Sequence, residues 1–211
     1  MEDIIMHKII TISREFGSGG REVGKRLAEA LGIAYYDKEI ITAVAERSGL
    51  AEKYVEAVSE KSVQFYYPIA YGSSLSTMQP LVTEQSGVIA HQNDIIRELA
   101  EKGDCVIVGR AADVVLEEMH PLRVFVYANM ESKIKRCKER QKEDENFTDK
   151  ELEKQIKKID KNRAGFREMI TGNKFGSRED YDLMINTSGL DIKEMIPALV
   201  EYQKCFFGED K

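Results

Sequence analysis

Residues 8–13 read KIITIS, a short β-branched run. Gly17-Ser18-Gly19-Gly20 follow almost at once, and then Val23, Leu27 and Leu31 recur at helical spacing up to Gly32. A strand, a glycine turn and a helix in direct succession leave few folds open. Such a turn lets main-chain N–H groups approach a phosphate, and the helix N-terminus adds positive potential. The strict phosphate-loop pattern is GxxxxGK[ST]. Two registers compete. With Gly20 as the last glycine, Arg21 stands for the lysine and Glu22 for the hydroxyl residue. With Gly24 as the last glycine, Gly19…Gly24-Lys25-Arg26 matches better by letter. The first is preferred, because the loop should follow the strand directly and the helix should already be running at Val23. Phe16, Gly17, Ser18, Gly19, Gly20, Arg21 and Glu22 then form the loop. Arg21 is expected to hold β/γ-phosphates, with a guanidinium replacing the ammonium, and Glu22 to approach a metal ion. The ordinary alternative is a βα turn whose glycines serve only packing.

Four more apolar runs follow, at 33–36, 104–108, 123–127 and 181–186, with helical patterns between them. The unalternating DCVIV and RVFVY runs suit strands buried on both faces. Strands alternating with helices imply a three-layer α/β/α fold around a five-stranded parallel sheet with right-handed crossovers. Ligands bind beyond the C-terminal strand ends of such sheets. That rule points at 13–21, Asp37, Gly109-Arg110, Asn129 and 187–189. Residues 61–80 have no clean period and read as an inserted loop with a functional role. Phe65, Tyr66, Tyr67 and Tyr71 within it suit stacking on a base; pinning the loop to the body or a homodimer contact is the more ordinary use.

The 211 residues, 42% apolar and 32% charged, fit a soluble globular domain. A net charge of −6 argues against a general nucleic-acid or acidic-membrane binder. No run approaches the 18 apolar residues of a membrane span, and the acidic N-terminus does not read as a signal peptide. Cys105, Cys137 and Cys205 form no CxxC pair, so neither a disulfide framework nor a zinc site is expected and a cytoplasmic location is.

Phosphoryl transfer needs positioned positive charge around the moving group. The candidates are Arg110 at a strand end, Arg136 and Arg140 at i, i+4, and Arg163. For Arg110 the plainer use is an ion pair with Asp113. For Arg136 and Arg140 it is a solvated helix face. Asp160 and Arg163 stand at i, i+3 on a helix, where a surface ion pair is the plainer use. Asp37 ends the second strand, placed to hold an acceptor or to cap the next helix.

ITISREFGSGGREVGKRLAEALG, AYYDKEII, VIVGRA, DKNR and YDLMINTSGLD together resemble the cytidylate kinase family, in its divergent cytidylate-kinase-like branch, over roughly residues 8–205. The resemblance implies a P-loop kinase core (1–48, 81–135 and 171–211), an acceptor-binding insert (about 49–80) and a small lid (about 136–165). It implies ATP on residues 17–22, with Asp37, Lys38, the insert, Arg110 and Asp113 facing the acceptor. Arg136 and Arg140 would flank the lid. Asp160 and Arg163 would reach nucleotide phosphates or the acceptor sugar and base. Lys38 and Ala43 stand where the family usually has serine and arginine, and Ile156 where it has arginine. The expected activity is ATP- and Mg2+-dependent phosphorylation of a nucleoside monophosphate, CMP or dCMP first. A kinase for a small-molecule hydroxyl, with Asp37 or Asp113 as base, and a non-catalytic nucleotide-binding module are the alternatives.

Overall fold

The computed structural model describes residues 7–60, 79–141 and 146–208. The aromatics Phe65, Tyr66, Tyr67 and Tyr71 lie outside them. Five strands form one parallel sheet: β1 (Ile9–Arg14), β2 (Ala34–Tyr36), β3 (Cys105–Val108), β4 (Leu122–Tyr127) and β5 (Leu183–Asn186), in the order β2-β3-β1-β4-β5. Eight helices are described: α1 (Gly20–Leu31), α2 (Lys38–Ser48), α3 (Glu52–Glu60), α4 (Gln79–Glu101), α5 (Ala112–Val115), α6 (Met130–Glu139), α7 (Asp149–Thr171) and α8 (Ile192–Phe207). This is a three-layer α/β/α fold.

The strand period of two divides the core into two layers. Ile10, Ile12, Val106, Val108, Val124 and Val126 face α1 and α8, where Val23, Leu27, Ile192 and Ile196 meet them. Ile9, Cys105 and Ile107 face the other way, onto Ile40 and Val44 of α2 and Ile95 and Ile96 of α4. Strands buried on both faces carry no polar alternation, which is why the sequence shows continuous apolar runs there.

Local chemistry sets the helix ends. Gly32, at φ 67°, stops α1 and returns its N–H to Ala28 and Glu29. Asn129 caps α6 by accepting from the Ser132 N–H, and Asp191 caps α8 by accepting from the Lys193 N–H at 2.8 Å. Thr148 and Glu151 form a capping box at the start of α7.

From β1 the chain crosses to β2 and β3 on one side, then returns to β4 and β5 on the other. The strand order therefore reverses beside β1, which opens a crevice at its C-terminal end. Arg14 and the glycine turn sit there. Next to it, the chain leaves β3 through three consecutive left-handed residues: Gly109 (φ 80°), Arg110 (φ 62°) and Ala111 (φ 51°). Two of these are not glycine, a costly conformation that clusters at functional sites. It turns the chain sharply and keeps Arg110 buried at the crevice.

Candidate active site

The glycine turn runs from the end of β1 to Gly19, the N-cap of α1 at φ 85°. No side chain caps α1, so its first-turn amides and their positive potential face the crevice. Backbone packing explains the glycines. Gly17 has φ 75°, and a Cβ there would lie 3.1 Å from both Cβ and the carbonyl oxygen of Lys133. A Cβ on Gly20 would lie 2.5 Å from Arg14 Cβ. Ser18 is fully buried, and its hydroxyl donates to the Glu15 carbonyl at 2.8 Å.

An ion cluster fixes the loop from below. Lys133, on α6 and buried, places Nζ 2.7 Å from Glu15 Oε2 and 3.1 Å from Asp160 Oδ2. The other oxygen of Asp160 accepts from the Phe16 N–H at 2.6 Å. Burial pushes the Asp160 carboxyl up from its ordinary value, while the Phe16 N–H and Lys133 pull it down. Asp160, expected at the nucleotide or acceptor, is engaged with the phosphate loop itself. The plain surface ion pair between Asp160 and Arg163 does not form. Arg163 instead donates to the Arg14 carbonyl at 3.2 Å and lies 5.8 Å over the Phe16 ring.

Other expected residues are also redirected. Arg21, expected at the β/γ-phosphates, sets Nε 2.8 Å from Asp37 Oδ2. Asp37 is buried at the end of β2, and a buried carboxylate requires a cation close by. Its Oδ1 makes no hydrogen bond among the described residues. Lys38 begins α2 directly after it. Glu22, expected to approach a metal ion, accepts with its two oxygens from Arg26 Nε at 2.9 Å and Arg140 Nη2 at 2.8 Å. Arg136 does not sit on a solvated face. It donates to the carbonyls of Ser18, Thr187 and Leu190 and to the Thr187 hydroxyl, stapling the loop to the β5–α8 turn. Burial and the neighbouring Arg140 lower its pKa. Asp113 pairs with Arg167 rather than Arg110, both members being buried, and Arg167 also reaches Asp180 Oδ2 at 3.3 Å.

Three clefts meet around this loop. The first is walled by the loop, Arg136, Arg140 and Phe147. The second lies beside Ser13 and Gly109 and is lined by Arg110 and Arg167. Arg14 and Arg163 line both. The third runs between Glu22, Arg140 and the Gly189–Asp191 turn. Arg14, Glu15, Lys133 and Arg167 were not singled out from the sequence. Arg14 and Glu15 carried one signal, their place between strand end and glycines. Lys133 is hidden among surface lysines, and the partner of Asp113 lies 54 residues away.

The residues fit a triphosphate: no side chain caps the first turn of α1, and Arg14, Arg136, Arg140 and Arg163 line the cleft beside it. Among the described residues no group of three acidic, histidine or cysteine side chains could hold a metal alone. Magnesium is commonly held through substrate phosphates with few protein ligands. No described helix is long and apolar enough to cross a membrane.

The model of the cytidylate kinase-like family matches residues 9–189. No curated protein matches the chain. Among solved structures, an uncharacterized protein from Eubacterium ventriosum is similar at TM-score 0.66 and 26% identity, covering 93% of this chain and 98% of that one. Shikimate kinase from Bacteroides thetaiotaomicron is similar at TM-score 0.55 and 17% identity, covering 95% and 98%. Shikimate kinase from Acinetobacter baumannii, in complex with shikimate, gives TM-score 0.51 and 16% identity over 94% and 93%. The shikimate kinases share the fold. A glycine phosphate loop at the sheet's reversal point, ringed by arginines, together with a family match over most of its length, places this chain in the cytidylate kinase-like family of P-loop phosphotransferases.

Proposed function

We propose that this protein transfers the γ-phosphoryl group of ATP, with Mg2+, to a nucleoside monophosphate, CMP or dCMP. The observation that carries the reading is the junction of two clefts at Arg14 and Arg163. One is a glycine cradle for the donor's phosphates, and the other an arginine-lined pocket suited to an acceptor phosphate. The amides of residues 17–22 bind the donor tail. Arg140 borders the donor cleft, Arg136 holds the cradle and the β5–α8 turn in register, and that turn with Glu22 borders the base and ribose. Arg110 and Arg163 hold the acceptor anion. Asp37 and Lys38 face it from the end of β2, while Asp113 keeps Arg167 in place. Residues about 136–165 form the lid, and its closure excludes water from the transfer. Magnesium would neutralise charge on the phosphates; it would be held chiefly by them, since Glu22 is taken by two arginines. An anionic phosphate acceptor needs no dedicated base.

One observation favours a second reading, a small-molecule hydroxyl as acceptor. A hydroxyl needs a base. Asp113 is committed to Arg167, which leaves Asp37, whose Oδ1 has no hydrogen bond among the described residues. The test is product analysis by 31P NMR with Mg-ATP and a panel of nucleoside monophosphates and polyhydroxylated acids. The proposal expects CDP or dCDP; product from a hydroxyl acceptor and none from any monophosphate contradicts it.

Occupancy of the cradle has its own readout. Cys137 Sγ lies 3.2 Å from where a Cβ on Gly17 would be, and burial raises its thiol pKa. Cys205 is exposed. Mg-ATP is expected to slow thiol labelling of Cys137 and leave Cys205 unchanged, as read by mass spectrometry. Equal labelling of Cys137 with and without ATP counts against a nucleotide in this cleft.

A further inference from the structure

We propose that the cation missing from the lysine position of the phosphate loop is supplied by Arg14 from the loop's other end, and that Gly20 is glycine to make room for it. The inference rests on the cradle being the ATP site. Three observations carry it. First, β1 ends at Arg14, Gly19 is the N-cap and α1 begins at Gly20. Aligning GxxxxGK[ST] on Gly19 as the last glycine puts Arg14 at the first glycine, Gly20 at the lysine and Arg21 at the hydroxyl residue. Both end positions then depart from the pattern in complementary ways. A glycine has become a long cation, and a long cation has become a glycine.

Second, the two departures are in contact. A Cβ on Gly20 would meet Arg14 Cβ at 2.5 Å and Cγ at 3.0 Å. These are the stiff inner atoms of the side chain, so a lysine at 20 and an arginine at 14 exclude one another. The far end of Arg14 passes Gly109, where a Cβ would lie 2.8 Å from its Cζ. Two glycines, on α1 and after β3, thus form the channel through which this buried side chain runs. Third, the channel leads to the junction of the donor and acceptor clefts, both of which Arg14 lines. Arg21 is turned to Asp37 instead. A guanidinium at that junction can pair in a planar, two-pronged manner with oxygens of the donor's terminal phosphate, which a point-charge ammonium does not do.

The experiment measures Mg-AMP-PNP and Mg-ADP affinity by calorimetry, with ligand-free melting temperature, for wild type, Arg14→Gln, Arg14→Gly, Gly20→Lys and the double variant Arg14→Gly/Gly20→Lys. Arg14→Gln is expected to weaken AMP-PNP by at least about tenfold, the loss of one charge-assisted contact, and ADP by less. Gly20→Lys alone is expected to lower the melting temperature. The double variant is expected to recover melting temperature relative to Gly20→Lys and AMP-PNP affinity relative to Arg14→Gly. Wild-type AMP-PNP affinity in Arg14→Gln, or a double variant no better than Arg14→Gly, overturns the inference while leaving the cradle as the ATP site. Absence of AMP-PNP binding to the wild type overturns both.

Discussion

Arg167→Leu is expected to lower the unfolding free energy by about 3–5 kcal/mol, the cost of stranding one partner of a buried ion pair. Asp113 and Arg167 are both almost fully inaccessible and bonded directly to each other. Arg167 also reaches Asp180 and lies 5.5 Å from the Tyr181 ring centroid. Burial alone works against its charge, and Asp113, Tyr181 and Asp180 together outweigh it, so its pKa is raised. With the arginine gone, Asp113 must either stay charged in an apolar setting or take up a proton, and both are unfavourable at neutral pH. The pair joins α5, after the strained Gly109–Ala111 turn, to α7. Its loss therefore loosens the cleft lined by Arg110 and Arg167 as well as the fold. Urea unfolding measures the effect, and the double variant Asp113→Leu/Arg167→Leu is expected to recover most of it, because apolar replacement of both partners removes the stranded charge. A loss below about 1 kcal/mol, the range of an exposed pair, would contradict this account of the site.

Gly17→Val is expected to weaken ATP binding by about a hundredfold. The residue sits at φ 75°, where a β-branched side chain is strongly disfavoured, and its Cβ would press on the backbone carbonyl of Lys133. Left-handed strain of about 1–2 kcal/mol and overpacking of about 1–3 kcal/mol add to roughly 3 kcal/mol, or a factor near a hundred. The loop relieves that strain by moving off α6. This withdraws the amides from the cradle and separates Phe16 from Asp160. The energy then appears as lost affinity more than as lost stability, since the loop lies outside both hydrophobic layers. Calorimetry with Mg-ATP reads the first and a melting curve the second. Unchanged ATP affinity with a normal melting temperature would contradict the assignment of this turn.

The centre of the sheet was legible because β1, β3 and β4 are buried on both faces, so β-branched residues accumulate without alternation, as in the 104–108 run. The phosphate loop was legible for a local reason: strand, glycines and helix are adjacent in sequence. The side-chain roles around it were not. By letter the pattern favours Gly24-Lys25, and the position of the strand end and of Val23 favours Gly20 with Arg21 as the lysine substitute; α1 in fact starts at Gly20, with Gly19 as its N-cap. What turns Arg21 away is Asp37, delivered from β2, and what fills the space over Gly20 is Arg14. The first is a tertiary contact with no local signature, and the second is visible only once the helix is known to start at Gly20. Lys133 and Asp160 are likewise 27 residues apart, and either alone reads as a solvated charge on a helix. The plainer use of Arg110, an ion pair with Asp113, does not form: Arg110 is the neighbour of Asp113 in sequence, and Arg167 its neighbour in space.

The most direct test of nucleotide binding at the glycine turn is a crystal structure with Mg-AMP-PNP. The account predicts β- and γ-phosphate oxygens within hydrogen-bond distance of the amides of residues 17–22, with the terminal phosphate beside Arg14. A nucleotide bound elsewhere, or a turn closed against Lys133 and Asp160 with no anion among its amides, would contradict it.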